Sequence, residues 1–188
     1  ITFDITNPDI LNKLPGYVLP LCLEFVDAIN GVRISGQYYN VLIEMSLRLE
    51  KDNIDPSNDE IEGEYFNNNV TFESGRTTNI ACLNDGNVSG TTWYPSGNDY
   101  LTMTFAEPTR ILGVRIHTVT GNYKLESMDV SVDEGNGFIS YGRFVRNTNG
   151  VIYMKFKEPV DIRALRFGKM RAIGDRTGPD IYEITFIK

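Results

Sequence analysis

The segment Ala81-Cys-Leu-Asn-Asp-Gly-Asn-Val-Ser-Gly-Thr-Thr-Trp-Tyr94 holds the residue types that could bind a hard cation. Asp85-Gly86-Asn87 offers a carboxylate, a tight turn and an amide oxygen within three residues, and Thr91 and Thr92 add hydroxyls. A Ca²⁺ ion takes roughly six to eight such oxygens, mixing carboxylates with carbonyls. The same residues also suit a metal-free Asx turn, so local sequence leaves both readings open. Catalytic chemistry finds less support. His117 is the sole histidine, which excludes a histidine-rich metal site. It falls on the opposite parity to Leu112, Val114 and Ile116 and should point outward. As a base it would need a nucleophile and an orienting acid, and neither can be placed. There is no phosphate-cradling glycine loop, zinc-type cysteine cluster or nucleophile elbow. No two of the 25 acids stand in a recognisable glycosidase frame. The chain therefore reads as a non-enzyme. Cys22 and Cys82, both in apolar surroundings, read as buried free thiols rather than a disulfide framework.

The elements that must position these residues are strands. Leu101, Met103 and Phe105 alternate onto one face, as do Leu112, Val114 and Ile116, then Met128, Val130 and Val132, and then Ile152, Met154 and Phe156. Period-two alternation implies one wet and one buried face, hence antiparallel sheets around a core. Glu107-Pro108, Gly121-Asn122, Glu134-Gly-Asn-Gly137 and Asn147-Thr-Asn-Gly150 supply the turns. Many short strands at this spacing predict an all-β sandwich or jelly roll. Helical periodicity is weak, with one short turn expected over Asp9–Leu14 before Pro15-Gly16.

Glu50–Glu64 carries seven acids and one lysine, with Pro56-Ser57 inside. It reads as a solvated linker. The expected organisation is a small, partial N-terminal β domain over residues 1–52, an acidic linker over 53–61 and a β-sandwich over 62–188. The first part offers three strand candidates, Ile1–Thr6, Tyr17–Val26 and Val41–Leu49, a thin core for an independent domain. Because the chain opens on Ile1 in a strand-like run, strands and a signal peptide are expected to precede it.

Charge narrows the partners. The net charge is −7, and residues 1–80 hold 5 basic against 13 acidic side chains. Such a chain lacks the basic block that nucleic acid or an anionic membrane surface requires. No apolar run approaches the ~20 residues of a membrane span. Asn69-Val-Thr71 and Asn87-Val-Ser89 match the glycosylation acceptor pattern, a common chance match.

Leu83-Asn-Asp-Gly-Asn87 followed by Thr91-Thr-Trp93 resembles the "DG…TxW" signature of discoidin-like domains, the coagulation-factor-five/eight C-terminal type. The resemblance continues in order through Tyr100–Pro108, Ile111–Ile116, Val160–Phe167 and Ile181–Phe186, covering roughly residues 62–188. It implies an eight-stranded, galactose-binding-like β-sandwich, with Trp93 in the core. Relatives in carbohydrate-binding module family 32 hold a structural Ca²⁺. Carried over, Asp85, Asn87 and Thr91 would bind it and Glu183 of the last strand would close the site. Gly16-Tyr-Val-Leu-Pro-Leu-Cys-Leu-Glu-Phe25 resembles the "YVLPL" strand of domain of unknown function 1735, found in Bacteroidetes surface lipoproteins. Together these imply an extracellular or cell-surface glycan-capture protein, anchored as an outer-membrane lipoprotein beside other glycan-utilisation proteins.

In this fold ligands sit at loops on one end of the sandwich. An aromatic face meets sugar C–H groups, and Arg, Asn, Asp or Glu bind hydroxyls. The ligand-binding candidates are Arg76, Tyr94, Asn98, Asp99 and Tyr100; Asn122 and Tyr123; Tyr141 and Arg143; and Arg171, Asp175 and Arg176. Loop 171–180 is the foremost. The alternatives are a protein- or lipid-adhesion module, expected to carry apolar loop spikes, and a structural spacer.

Overall fold

A computed structural model describes residues 51–95, 99–146 and 151–188, and residues 17–22 and 40–45 as strands. The chain divides into two compact units, Ile1–Arg48 and Leu49–Lys188. In the first, β1 (Tyr17–Cys22) and β2 (Asn40–Met45) pair antiparallel, from Tyr17 opposite Met45 to Cys22 opposite Asn40. β1 lies within the expected span Tyr17–Val26, and β2 begins one residue before the expected Val41–Leu49 and ends four residues earlier. The expected strand Ile1–Thr6 and turn Asp9–Leu14 lie outside the described residues.

The second unit comprises β3 (Ile54–Asp55), β4 (Tyr65–Phe66), β5 (Val70–Ser74), β6 (Leu101–Thr118), β7 (Leu125–Asp133), β8 (Phe138–Val145), β9 (Ile152–Ala172), β10 (Arg176–Thr177) and β11 (Ile181–Ile187). All pairings are antiparallel. β6 and β9 are long because each passes through both layers of a sandwich. The first half of β6 pairs with β5 and with the second half of β9, whereas its second half pairs with β11 and with the first half of β9. One layer is therefore β4, β11, β6, β9, β3, and the other is β5, β6, β9, β7, β8. Pro108 falls in the break of the ladder between Thr104 and Thr109, and Pro159 in the break between Lys155 and Val160. Proline lacks the N–H that a continuous ladder needs, so these two positions are where the strands cross between layers.

The two inner faces carry the alternating apolar residues. Leu101, Met103, Phe105, Met128, Val130, Val132, Ile152, Met154 and Phe156 are buried as parity predicts. Each contributes about 1.5–3 kcal/mol of transfer free energy. Phe186 of β11 meets Phe105 at 4.8 Å between centroids, and Tyr141 of β8 meets Phe156 at 5.7 Å, so aromatic pairs span the layers. One parity assignment shifts. The ladder slips between Ile111 and Gly113, placing Ile111 in the core and leaving Leu112 half-buried on the outer face. A bulge moves the alternation by one residue, which periodicity alone does not reveal.

Residues 53–61 do not form the expected solvated linker. Ile54 and Asp55 pair with Phe156 and Lys155 of β9. Ile61 is 3% exposed, and its side chain lies over the bare backbone of Gly113. The acids Asp52, Asp59, Glu60, Glu62 and Glu64 all face solvent, while the few apolar positions dock. Charge density along the sequence hides this one-sided arrangement. A Cβ at Gly113 would stand 2.3 Å from the Met154 carbonyl oxygen and 2.5 Å from Ile61 Cδ1. Gly113→Ala is therefore expected to cost ~2 kcal/mol, seen as a lower urea midpoint at unchanged m-value. An unaltered midpoint would show that the strap is not docked there.

Candidate functional site

Strand registers bring four connections to one end of the sandwich. β5 ends at Ser74 opposite Leu101, β8 at Val145 opposite Ser127, and β9 at Ala172 opposite Leu125. β6 ends at Thr118 opposite Ile181. The layers are tied here. Trp93 exchanges two backbone hydrogen bonds of 2.8 Å with Ile181, and its Nε1 donates to the Arg76 carbonyl at 2.9 Å. Trp93 is fully buried, as the resemblance implies. The Asp180 N–H donates to the Tyr123 carbonyl, and the Leu125 N–H to Thr118 Oγ1.

The site's centre is a stack. The Arg76 guanidinium lies 3.8 Å from the centroid of the Tyr94 ring, a cation–π geometry. Arg76 Nε is buried without a hydrogen-bond partner. The Asp99 carboxylate sits beside Gly75, where a Cβ would be 2.9 Å from Oδ1. Gly178, which follows the β9–β10 hairpin, lies beside the Tyr94 ring, a Cβ there being 3.8 Å from Cδ2. Gly174 and Asp175 both adopt positive φ, as a tight turn with right-handed strand twist requires. Arg176 is exposed on this hairpin. Arg171 is committed, with Nε 3.3 Å from Asp175 Oδ1 and Nη1 donating to the Met170 carbonyl. Tyr123, 53% exposed, and Asn122 occupy the third connection. Asn98 lies outside the described residues.

Three expected positions depart from this cluster. Tyr141 is 2% exposed, with its ring against Phe156 and its hydroxyl donating to Glu134 Oε1 at 2.8 Å. Burial, followed by that carboxylate, drives its pKa far above the ordinary tyrosine value. Gly142, at φ +91°, and the register slip between Val130 and Ser131 turn the Tyr141 ring inward. It is a core residue, not a ligand contact. Tyr141→Ala is expected to cost ~3 kcal/mol of stability and to leave ligand affinity unchanged, read by denaturation and titration. Arg143 lies on the outer face of β8, paired to Asp129 at 2.6 Å and donating to Ser127 Oγ. Tyr100 also leaves the cluster, its ring lying against Gly168.

Sequence reasoning missed Arg146. It leaves the end of β8 half-buried, with Nε and Nη1 lacking any acceptor. Burial lowers its pKa, and Glu126 opposes that shift. It lies in no motif; only its place at the strand end marks it. Also missed is the apolar content of this end. Of the described exposed large apolar residues, Val88, Tyr94, Tyr123, Val145 and Val151 belong to these connections or their flanks, and Tyr100 lies against Gly168.

The second cluster surrounds Glu183, 3% exposed and reached by Asn67 Nδ2 at 2.5 Å and by the Gly86 N–H at 3.2 Å. Burial raises its pKa; Asn67 and Gly86 oppose this, and the Asp85 charge adds to it. Asp85 Oδ1 accepts the Asn87 N–H at 2.8 Å, the Asx turn read from the sequence. Asp85, Asn87 and Thr91 are exposed. A buried carboxylate beside a second one, with no cationic side chain among the described residues bonded to it, suits a divalent cation. Among the described residues, no three His, Cys, Asp or Glu side chains gather as a metal centre. Any cation here would rely on amide, hydroxyl and carbonyl oxygens for the rest of its shell. Cys82 is a free, buried thiol whose pKa is raised by burial and then by Asp85 and Glu183. His117 is half-buried rather than exposed, and burial followed by Arg115 lowers its pKa. No described helix is long and apolar enough to cross a membrane.

All-β, antiparallel and two-layered, Leu49–Lys188 has the galactose-binding-like β-sandwich fold of the discoidin-like, family 32 carbohydrate-binding modules. Among solved structures it resembles a family 32 module of NanJ from Clostridium perfringens, in complex with galactose, at TM-score 0.54 and 14% identity. That match covers 64% of this chain and 94% of the other. The two family 32 modules of ZmpB from the same organism, in complex with GalNAc, match at TM-score 0.54 and 20% identity over 64% of this chain and 34% of theirs. A two-domain protein of unknown function from Bacteroides fragilis matches at TM-score 0.71 and 34% identity, covering 95% of this chain. This chain spans 61% of that protein's length. No protein-family model matches the sequence, and no curated protein does.

Proposed function

We propose that the loop end of the sandwich binds carbohydrate without chemical turnover, in a protein that captures glycans at the cell surface. The observation that carries this reading is the Arg76–Tyr94 stack, with Asp99 against Gly75 and the Tyr94 ring edge beside Gly178 of the β10–β11 connection. An aromatic ring for C–H faces, guanidinium donors without internal acceptors and a carboxylate acceptor together suit a polyol. The galactose and GalNAc bound by modules of the same fold support it. Such a shallow site gives affinities of order millimolar to micromolar, about −4 to −8 kcal/mol. Useful attachment would come from several copies, or from neighbouring glycan-utilisation proteins, acting together. Asp85, Asn87, Thr91 and Glu183 would hold a structural Ca²⁺ that neutralises the Glu183–Asp85 pair and fastens the early loop to β11. An extracellular lipoprotein fits this role.

A glycan array probed with the whole chain tests the proposal, and saturable binding to at least one glycan class is the expected result. Uniform background across the array would overturn it. A lipid-adhesion reading draws support from Val88, Val145 and Val151, exposed at 51%, 55% and 37%. Flotation with phosphatidylcholine liposomes decides that case. Co-flotation would favour lipid, and a protein left in the dense fraction would favour glycan.

A further inference from the structure

The outer face of the layer β5, β6, β9, β7, β8 carries a groove of about 600 Å³ away from the loop end. Its origin is legible in the register. Thr104, Ala164, Asp133 and Phe138 stand in one outward row across four strands, and Thr102, Arg166, Ser131 and Ser140 in the row above. Ala164, small and at the centre of its row, leaves a floor between taller neighbours, with Glu107 and Arg163 at the lower edge. The Arg166 guanidinium bridges the walls. It lies 3.7 Å from the Phe138 ring centroid and 5.3 Å from that of Tyr100, and Nε donates to Thr102 Oγ1 at 3.1 Å. From Arg163 to Gly168, where Tyr100 rests, five residues at ~3.3 Å each make a strip roughly 17 Å long.

The geometry points to this strip as a second saccharide-binding surface, separate from the loop end, for consecutive units of a glycan chain. The unused hydrogen-bonding groups set the ligand class. Arg163 is exposed and, among the described residues, forms no ion pair, and the Glu107 carboxylate has no partner among them. Asp133 spends Oδ1 on the Gly135 and Gly137 N–H groups, at 2.7 and 3.0 Å, and leaves Oδ2 open. Donors, acceptors and ring faces alternate along one line, as sugar hydroxyls and C–H faces do. Glu107 and Asp133 balance Arg163 and Arg166, so the strip carries no net positive charge to hold an anion such as phosphate. The volume is that of a small-molecule site, whereas a stable protein partner needs a surface of ~1,000 Å² or more.

Amide chemical-shift mapping of the whole chain tests this inference. The probes are galactose, glucose, mannose, xylose and N-acetylgalactosamine, each up to high millimolar concentration, and the tetrasaccharide of each hexose. At least one probe is expected to move the amides of Thr104, Ala164, Gly135 and Gly137. A tetrasaccharide should bind there at least fivefold more tightly than its monomer. Arg163→Gln, an exposed change, should weaken these shifts at least fivefold and leave those around Tyr94 intact. Phe138→Ala should do the same, provided its remaining amide spectrum is native. Shifts confined to the loop end would overturn the strip and keep the proposed function, and shifts confined to the groove would do the reverse. Groove amides unmoved by every probe would overturn the strip.

Discussion

Calcium is expected to raise the melting temperature of the Leu49–Lys188 unit by roughly 5–10 °C over a chelated sample. At a hundred times its Kd a ligand adds ~2.7 kcal/mol, and each kcal/mol moves a domain of this size by ~2–4 °C. Glu183 sets the pH dependence. Burial lifts its folded-state pKa above the ordinary value of 4.5, so the folded chain holds this proton more tightly than the unfolded one. In chelator its contribution therefore favours the fold most below the ordinary value and declines as pH rises through the raised one. Calcium binds only the carboxylate form, so it should convert that decline into a gain towards neutral pH. The effect of Glu183→Gln should depend on conditions. In chelator it removes the charge that burial disfavours but turns an NH2 toward one of the two donors, Asn67 Nδ2 and the Gly86 N–H, so it should melt close to the native chain. In calcium it should melt lower by most of the metal's increment. Identical melting curves with calcium and with chelator would remove Asp85, Asn87, Thr91 and Glu183 from this role.

Tyr94→Ala is expected to lower affinity for the best array glycan ten- to a hundredfold, ~1.4–2.8 kcal/mol. The substitution removes a ring face for the sugar and releases the Arg76 guanidinium stacked 3.8 Å away. Stability should barely change, because Tyr94 is 38% exposed and a surface change of this kind costs ~0.5 kcal/mol or less. Arg76→Lys should fall between native and Tyr94→Ala, since an ammonium keeps the charge without the planar stack. Calorimetric titration reads both variants. Native affinity in Tyr94→Ala would move the binding site away from this end. Arg146→Gln then separates a contributing guanidinium from a bystander, with a threefold or larger loss expected if Arg146 meets the ligand.

Much of the sandwich is local information. Side chains on a strand alternate strictly, so Leu101-Thr-Met-Thr-Phe105 and Met128-Asp-Val-Ser-Val132 declare their buried faces without reference to any partner. The two Glu-Pro pairs mark where β6 and β9 can hold no ladder bond, which is where each changes layer. The Asx turn at Asp85 follows from three adjacent residues. Tyr141 and Leu112 were not legible, because a one-residue slip in a ladder exchanges inside for outside and leaves no trace in composition. The strap over residues 53–61 was hidden because its acids dominate the average, while Ile54, Asn58 and Ile61 do the docking.

By itself, then, the chain determined its strands, their wet and dry faces and the loops available to a ligand, since each depends on neighbours within a few residues. Only the tertiary structure decided which of those loops meet. Trp93 bonded to Ile181, Gly86 to Glu183 and Asp180 to Tyr123 all depend on long β6 and β9 ladders closing two layers. Contacts between residues distant in the chain cost loop-closure entropy and are selected by the packing of the whole core. No short window of sequence can therefore specify them.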